Sequence, residues 1–308
     1  MLKFAVVRED HALELDLCRR ANATHALTVA SGGCTALALK HGLPTLSVHA
    51  FDLNADQLAH GRSKAAAIAR GSLAELNVRD ASSEALSQRG EFEKLFRVLR
   101  HALLEFVTTP AELELFFGTP SRGPELLAKW RASPYWAAAF EVTFTEGLLH
   151  AMFGPDATRH AARGSYPGYF QRVFEAGLAR PNAAHNPWLQ HVLLQRYVDP
   201  PPFLLAGAPL EVSWHQGALP DVPALERFEV VSLSNVFDWS EPALVSAWAD
   251  ALRALKPNSL VVWRQLNNQR DWLPVFGDDF ELLPELSAEW TANERALFYE
   301  RVTVVRRA

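Results

Sequence analysis

The sequence predicts an α/β protein in which one largely parallel sheet is divided by a helical insertion. Three observations support this prediction. Residues 26–52 have the pattern strand, tight turn, helix and strand; a mainly helical pattern follows from about 86 to 200; and strand-like runs return after 210. Short apolar runs that alternate with helices are typical of parallel strands, which are covered on both faces.

The first half of the predicted sheet consists of two strands joined by a helix. An apolar run at 26–31 ends in Gly-Gly, which indicates a buried strand that enters a tight turn. The second strand, 45–51, ends at Asp52. Asn54 is well placed to cap the helix that follows, because its side chain can accept a hydrogen bond from a free backbone N–H of the first turn.

The predicted insertion covers 86–205 and has helical periodicity without a convincing strand. Aromatic side chains recur along its helices, and we expect Trp130, Tyr135, Trp136 and Phe140 to lie in its core. The Pro-rich step DPPPF then returns the chain to the sheet.

The alternation of strand and helix resumes after the insertion and completes the predicted sheet. Pro242 marks the first turn of a helix at 241–255. The predicted strands are 210–214, 228–234, 259–264, 281–283 and 296–305. If the last two pair antiparallel, the result is a class I methyltransferase-like Rossmann sheet with a helical insertion between its halves. The expected parts are 1–85, 86–205 and 206–308.

Composition and charge narrow the class of protein. The net charge is −5 and no basic block is present, which argues against nucleic-acid binding. The two cysteines form no disulfide framework, and no His/Cys cluster predicts a metal site. No signal-like start and no apolar run of about 18–20 residues occurs, so a cytoplasmic protein is predicted. Contact with a membrane surface stays open, as does the oligomeric state.

A nucleoside site is predicted at the first turn. The turn Ser31-Gly32-Gly33-Cys34 lets a ligand approach the backbone closely, and Asp52 follows Gly33 by 19 residues, where a carboxylate can accept both hydroxyls of a ribose. Because a serine stands in the first position of the dinucleotide fingerprint, S-adenosylmethionine is favoured over NAD. The alternative is that the glycines only permit tight packing of helix on strand.

Further candidates follow other predicted strands, because ligands in open α/β sheets bind at the carboxyl ends of strands. The additional cofactor-binding candidates are Leu53, Gln57, Gln216, Gly217, Ser234 and Asn235. Asp238 lies just beyond them and is expected to face the reacting centre, with a helix cap as its alternative role.

Several segments carry a resemblance to a known family. They are REDHALELDL, LTVASGGCTALAL, VHAFDLNADQLAHGRSKAAAI, FGPDATRH…GSYPGYFQR, NPWLQHVLL and SLSNVFDW. Together they resemble the 3-amino-3-carboxypropyl-transferase part of the betaine-lipid synthases, most strongly over about 4–70 and 153–196. The resemblance implies S-adenosylmethionine as donor of its aminocarboxypropyl chain, release of methylthioadenosine, and the free hydroxyl of diacylglycerol as acceptor.

The chain departs from that family in two ways. It is shorter than expected for a bacterial lipid-making member, and Val29 stands where many methyltransferases carry an acid. The acceptor therefore stays open between a lipid and a related small molecule.

The transferred group carries a carboxylate and an ammonium that the site must hold. Arg8 and Arg264 are the candidate carboxylate partners, since a guanidinium pairs bidentately with a carboxylate. Glu9 or Asp10 is the candidate partner of the ammonium, with an ordinary role for acids near a helix start as the alternative.

A hydroxyl acceptor also needs a group that takes its proton. Asp238 is the first candidate, His215 the second, and Tyr166 in the GSYPGYF loop is a third catalytic candidate. His160 and His185 could approach from the insertion, although a lone histidine in a helical segment is more often structural.

Three other functions remain as alternatives. A methyltransferase on the same fold would yield S-adenosylhomocysteine, an inactive relative would bind the cofactor without turnover, and an NAD-linked oxidoreductase lacks its fingerprint here.

Overall fold

The computed structural model describes residues 1–308 and contains a seven-stranded sheet in the order β3-β2-β1-β4-β5-β7-β6. The strands are β1 (His25–Val29), β2 (Ser47–Asp52), β3 (Ser213–Gln216), β4 (Val230–Ser232), β5 (Leu260–Gln265), β6 (Phe280–Leu282) and β7 (Arg301–Arg307). Only β7 runs antiparallel to its neighbours β5 and β6. The protein is thus α/β with a mostly parallel sheet, an arrangement that is compatible with a Rossmann-like fold.

Helices surround the sheet and fill the stretch between β2 and β3. The α-helices are α1 (Ala12–Arg20), α2 (Cys34–Gly42), α3 (Ala55–Ala69), α4 (Glu91–Phe106), α5 (Pro110–Gly118), α6 (Gly123–Ala132), α7 (Tyr135–Thr143), α8 (Glu146–Phe153), α9 (Tyr166–Leu178), α10 (Pro187–Leu193), α11 (Pro242–Leu252), α12 (Leu273–Phe276) and α13 (Pro284–Asn293). None of them is both long and apolar enough to cross a membrane.

Local signals in the sequence place several of these helices. The side chain of Asn54 accepts a hydrogen bond from the N–H of Asp56 at 3.0 Å and so caps α3. Pro242 occupies the first turn of α11, where its missing N–H leaves no donor unsatisfied. Thr109 and Glu112 form a reciprocal capping box at the start of α5.

Two strands lie later in the chain than the sequence pattern indicated. β3 covers 213–216 because it is an edge strand that pairs with the carboxyl half of β2. β7 begins at Arg301, since the residues before it leave the sheet and carry Glu294 and Phe298 into the interior. Helix α13 was not predicted at all.

The helical stretch has an apolar core of its own that reaches the carboxyl edge of the sheet. Phe144 and Phe170 stack at 4.0 Å between ring centroids in this core, and Phe298 joins it from the segment that precedes β7. The hydroxyl of Tyr169 donates to the carbonyl of Phe298, which fixes α9 to that segment. Of the four aromatic residues expected here, Trp130, Trp136 and Phe140 are buried. Tyr135 is 52% exposed, so its prediction was wrong; it lies against the exposed Phe106 at the surface.

The N-terminal segment 2–10 lies between the sheet and the helical stretch. From the sheet side, the Lys64 ammonium on α3 donates to the carbonyls of Ala5 at 2.7 Å and Gly32 at 2.6 Å. From the helical side, the Trp188 indole donates to the carbonyl of Val7 at 3.3 Å. These bonds hold the segment in place between the sheet and the helical stretch.

Candidate functional site

A cavity opens at the carboxyl ends of β1 and β4, where the chain connections leave the middle of the sheet in opposite directions. Such a switch point is the usual ligand site of an open α/β sheet. The cavity volume is about 70 Å³, within a cleft whose free space, open mouth included, is about 690 Å³. Its lining comes from the N-terminal segment, the strand ends, the helical stretch and the segment that precedes β7.

Most of the lining is apolar and aromatic. The aromatic lining residues are Phe4, Phe92, Phe153, Tyr166, Phe170, Trp239, Phe298 and Tyr299. The polar lining residues, apart from the two tyrosines, are Arg8, Glu9, Ser31, Ser234 and Asn235. The N-terminal segment and the ends of β1 and β4 thus supply one polar wall of an otherwise apolar cavity.

Two of these polar residues share an uncommon backbone conformation. Ser31 after β1 has φ of 43° and Ser234 after β4 has φ of 56°, both in the left-handed region. Non-glycine residues pay about 1–2 kcal/mol for this conformation, and they cluster at functional sites. The N–H of Ser31 donates to Asp52 at 3.0 Å, and the carbonyl of Ser234 accepts from the N–H of Arg264 at 2.8 Å.

The end of β2 carries a carboxylate with acceptor capacity to spare. One oxygen of Asp52 accepts from the N–H of Ser31, and the other accepts from the N–H of Asn54 at 2.9 Å. Each oxygen therefore retains a lone pair. Burial raises the pKa of Asp52, and the two backbone N–H groups partly oppose that shift.

Three neighbours of Asp52 lie at the same edge of the sheet. The Leu53 side chain is 70% exposed, and Gln216 is exposed at the end of β3. The N–H of Gly217 donates to the Asp52 carbonyl at 3.1 Å. Asp52, Leu53, Gln216 and Gly217 thus lie together at the ends of β2 and β3.

Other residues of the protein pack directly against the glycine turn. A Cβ on Gly32 would lie 2.7 Å from the carbonyl oxygen of Ala5, and one on Gly33 would lie 3.0 Å from Gly61. The Cys34 thiol is buried beside the Lys64 ammonium at 3.2 Å. None of the residues Gly32, Gly33 and Cys34 lines the cavity, and the glycines permit close packing, as in the alternative interpretation of this turn.

Gln57 is also fully engaged by the chain. Its carbonyl oxygen accepts from the N–H groups of Lys3 and Phe4, at 2.7 and 3.1 Å. Its amide donates to the carbonyls of Phe4 at 2.8 Å and Ser31 at 2.6 Å. Because these bonds use its polar atoms, Gln57 ties the N-terminal segment to the turn after β1 and is not a ligand-binding residue.

Arg8 is a buried cation with donors to spare. Its guanidinium pairs with Glu93 at 3.0 Å and lies 4.3 Å from the ring centroid of Phe96. Its Nε and Nη1 atoms are buried and have no hydrogen-bond partner. Burial lowers the pKa of Arg8, whereas the Glu93 carboxylate raises it. An anionic group in the cavity could satisfy these donors.

Arg264 and Asp10 do not reach the cavity, which corrects their expected roles. The Arg264 guanidinium is fully buried and pairs with Glu14 at 2.6 Å and Glu294 at 3.0 Å, as well as with Glu9. Asp10 pairs with Arg295, while its backbone N–H donates to Glu294 at 2.7 Å. These pairs leave neither side chain available to a ligand's carboxylate or ammonium.

Glu9 is the one carboxylate that lines the cavity. It accepts hydrogen bonds from the hydroxyls of Ser234 and, at 3.4 Å, Tyr299, and its second oxygen lies 3.3 Å from Arg264. Burial raises the pKa of Glu9 to about 7, although the Arg264 charge opposes the shift. Near neutral pH this carboxyl group is therefore balanced between its two protonation states.

Asp238, the first candidate for the base, does not line the cavity. Its carboxylate accepts from the N–H of Leu266 at 2.9 Å and from the amides of Asn235, at 3.1 Å, and Asn268. Burial raises its pKa to about 7. Because Asn235 does line the cavity, Asp238 acts on the site by fixing that amide.

The histidine candidates lie elsewhere as well. His215 on β3 stacks on His49, with 2.8 Å between Nε2 of His215 and Nδ1 of His49, and does not line the cavity. Burial lowers its pKa. His160 bonds to the carbonyl of Ser240 at 2.8 Å, and His185 pairs with Asp199 at 2.9 Å. None of the three is placed to take a proton from a group in the cavity.

Tyr166 does line the cavity, but its hydroxyl donates to the carbonyl of Ala157 at 3.2 Å. Burial raises the pKa of Tyr166, so the neutral phenol persists. Tyr299, which donates to Glu9, was not identified from the sequence because it lay within a predicted strand. No group of three or more metal-ligating side chains is arranged to hold a metal ion.

The chain was compared with protein-family models, with curated proteins and with solved structures, and none of them matches it.

Proposed function

We propose that the protein is an S-adenosylmethionine-dependent transferase with a class I methyltransferase-like sheet. In this proposal it moves the 3-amino-3-carboxypropyl group to an acceptor hydroxyl, on a diacylglycerol-like lipid or a related small molecule, and releases methylthioadenosine. The observation that carries the proposal is that Arg8, whose Nε and Nη1 atoms have no hydrogen-bond partner, and Glu9 line one cavity at the switch point of the sheet.

The strand order supports this fold assignment. Dinucleotide-binding sheets have the order 3-2-1-4-5-6 with all strands parallel. Here β7 is inserted antiparallel between β5 and β6, which is the closing pair expected for a methyltransferase-type sheet.

The strand ends fit an adenosine without a pyrophosphate. Asp52 has free acceptor capacity for ribose hydroxyls, and Leu53 offers an exposed apolar surface beside it for the base. A pyrophosphate would need access to the glycine turn, yet Ala5 fills the space above Gly32. The same argument weighs against NAD.

The cavity fits the amino-acid arm of the donor. Its volume of about 70 Å³ is far below the roughly 300–1,000 Å³ of pockets that enclose a whole ligand. The arm would therefore enter, with its carboxylate at Arg8 and its ammonium at Glu9, while the nucleoside extends outward toward Asp52. Ser31 lines the cavity and also bonds to Asp52, so it joins the two parts.

The reaction would be a displacement at carbon. The acceptor oxygen bonds to the methylene carbon next to sulfur as the carbon–sulfur bond breaks, and the electron pair of the broken bond remains on sulfur in methylthioadenosine. The hydroxyl proton of the acceptor passes to solvent. The sulfonium supplies the leaving group, so the protein's part is to hold the arm in line with the acceptor. The apolar walls around Phe4, Phe92 and Phe153 suit an apolar acceptor and exclude competing water.

Two alternatives use the same site. Methyl transfer would need the same nucleoside contacts with a different orientation of the sulfonium. An inactive binding protein is favoured by one observation, which is that neither Asp238 nor His215 lines the cavity.

The test is to identify the nucleoside product. The purified protein is incubated with S-adenosylmethionine and either diacylglycerol vesicles or a lipid extract, and the products are analysed by mass spectrometry. Methylthioadenosine formed in an acceptor-dependent way, and lost in Asp52→Ala, supports the proposal. Formation of S-adenosylhomocysteine would show methyl transfer instead of aminocarboxypropyl transfer. Binding of S-adenosylmethionine without any product would indicate a non-catalytic role.

A further inference from the structure

A cluster of buried charges behind the cavity is unbalanced. The single guanidinium of Arg264 faces three carboxylates: Glu14 at 2.6 Å, Glu294 at 3.0 Å and Glu9 at 3.3 Å. All four side chains are at most 3% exposed. If every carboxylate is ionised, the cluster holds two more negative than positive charges.

The neighbouring charges do not correct this excess. Arg295 is matched by Asp10, and Arg8 is matched by Glu93. The buried His11 faces Asp10 and Glu14, and burial lowers its pKa, which favours the neutral imidazole. Glu9 also accepts hydrogen bonds from the neutral hydroxyls of Ser234 and Tyr299.

Buried charge without a counter-charge is strongly unfavourable, so the cluster must take up a proton or a cation. Glu9 is the cluster member in contact with the cavity; Glu14 and Glu294 do not line it. A cation that enters the cavity can therefore reach the excess charge only at Glu9.

The cavity walls suit an organic cation. Eight aromatic side chains line it, and aromatic rings attract ammonium and sulfonium groups through their electron-rich faces. Tyr299 connects the aromatic lining with the carboxylate, because it lines the cavity and its hydroxyl also donates to Glu9. The lining thus combines an aromatic surround with one buried carboxylate.

We propose that this cavity is an organic-cation subsite in which the ammonium of the ligand displaces a proton that the Glu9 carboxyl group holds in the free protein. The inference rests on the proposed function for the identity of that ligand. No bond between heavy atoms changes: the O–H bond of the carboxyl group breaks, the proton passes to water or buffer, and the ammonium takes its place beside the carboxylate.

The balance between the protonation states of Glu9 supports this exchange. Its pKa is raised to about 7, by burial first and then by Glu14 and Glu294 against the opposing effect of Arg264. A bound ammonium favours the ionised form. Ligand binding is therefore expected to release a proton at pH 6 and to strengthen as the pH rises toward 7.

The experiment uses isothermal titration calorimetry of the full chain at pH 6, in buffers of different ionisation enthalpy, with three nucleosides. S-adenosylmethionine and S-adenosylhomocysteine carry the ammonium, and methylthioadenosine lacks it. The first two are expected to release protons at pH 6, up to about one per ligand, and methylthioadenosine none. Glu9→Gln should remove the release, while Glu125→Gln, a change at an exposed carboxylate, should keep it.

Infrared spectroscopy tests the free protein without a ligand. The carbonyl band of a protonated carboxylic acid should be stronger at pH 6 in the unchanged protein than in Glu9→Gln. Taking the difference between the two proteins is necessary because Asp238, whose pKa is also about 7, contributes to both spectra.

The outcomes separate the two proposals. Binding of S-adenosylmethionine without proton release, or equal release with methylthioadenosine, overturns the exchange alone. Absence of the infrared band of protonated Glu9 at pH 6 also overturns the exchange, whichever nucleosides bind. If the unchanged protein binds none of the nucleosides, the proposed function is refuted and the exchange falls with it. If Glu9→Gln fails to fold, the proton release measured with the three nucleosides on the unchanged protein still tests the exchange.

Discussion

The carboxylate of Asp52 accepts a hydrogen bond from the backbone N–H of Ser31 at 3.0 Å, which ties the end of β2 to the turn after β1. Ser31 lines the cavity, whereas Asp52 lies at the edge of the sheet beside the exposed Leu53. One hydrogen bond therefore connects the proposed place of the amino-acid arm with that of the nucleoside.

The first prediction concerns that carboxylate. Asp52→Asn should weaken binding of S-adenosylmethionine about 10- to 100-fold, because hydrogen bonds to a charged group contribute about 1.5–3 kcal/mol. Calorimetric titration measures the loss. The matched control is Asp56→Asn, which changes an exposed carboxylate four residues further on and should leave the affinity unchanged. Equal losses in both variants would contradict the assignment of Asp52.

The second prediction concerns the glycine turn. Gly32→Ala places a Cβ 2.7 Å from the Ala5 carbonyl oxygen, and the N-terminal segment must shift to relieve the clash. Overpacking of this kind typically costs about 1–3 kcal/mol, so the melting temperature should fall. Gly118→Ala, where no atom lies within 4 Å of the added Cβ, serves as control and should melt close to the unchanged protein. A Gly32→Ala protein of full stability would show that the segment does not pack there.

The third prediction concerns Arg264. Arg264→Met leaves three buried carboxylates without their cation, and breaking a buried pair in this way costs about 3–5 kcal/mol. The loss should be larger at pH 8 than at pH 5.5, because protonation of the carboxylates removes their repulsion. Urea denaturation at both pH values measures it. Arg306→Met, at an exposed pair with Glu281, should change little at either pH. A loss independent of pH would indicate that packing, not charge, dominates.

The fourth prediction concerns His60, which bonds to the carbonyl of Ala5 at 2.9 Å through Nε2. Burial and the Lys64 charge lower its pKa to about 3, from an ordinary value of 6.5. Between these values the unfolded chain binds the proton and the folded protein does not, so stability falls as the pH falls below 6.5. The slope from this residue approaches about 1.4 kcal/mol per pH unit.

His60→Gln tests that slope, since the glutamine amide can still donate but does not titrate. Urea denaturation between pH 7 and pH 5 should give a shallower decline of the free energy of unfolding than in the unchanged protein. His185→Gln, a change at an exposed histidine, is the control and should keep the original slope. Identical slopes in all three proteins would contradict the prediction.

Much of the fold was predictable because its signals are local. The apolar runs of β1, β2, β4 and β5 and the cap at Asn54 depend on a few adjacent residues. β3 was misplaced by three residues at its start, because an edge strand begins where its partner allows pairing. The segment before β7 was wrongly predicted as part of the strand. Its aromatic residues, such as Phe298, pack against the helical core instead of lying in the sheet.

The candidate site was predictable only in part. The sequence placed Asp52, Ser234 and Asn235 at strand ends, and it named Arg8 and Glu9 as candidate cofactor-binding residues, both of which line the cavity. It could not distinguish Arg8 from Arg264, nor Glu9 from Asp10. It also expected Asp238 and His215 to face a reacting centre, and neither residue lines the cavity.

By itself, then, the sequence determined the order of most strands and helices along the chain and the polar residues that end the strands, because periodicity, caps and strand ends act over a few residues. The tertiary structure alone decided which polar groups remain free. Arg264 meets Glu9 across 255 positions of chain, and Ala5 meets Gly32 through the folding back of the N-terminal segment. A buried charge is available to a ligand only if no distant side chain has already paired with it, and such pairing depends on packing and not on neighbouring residues.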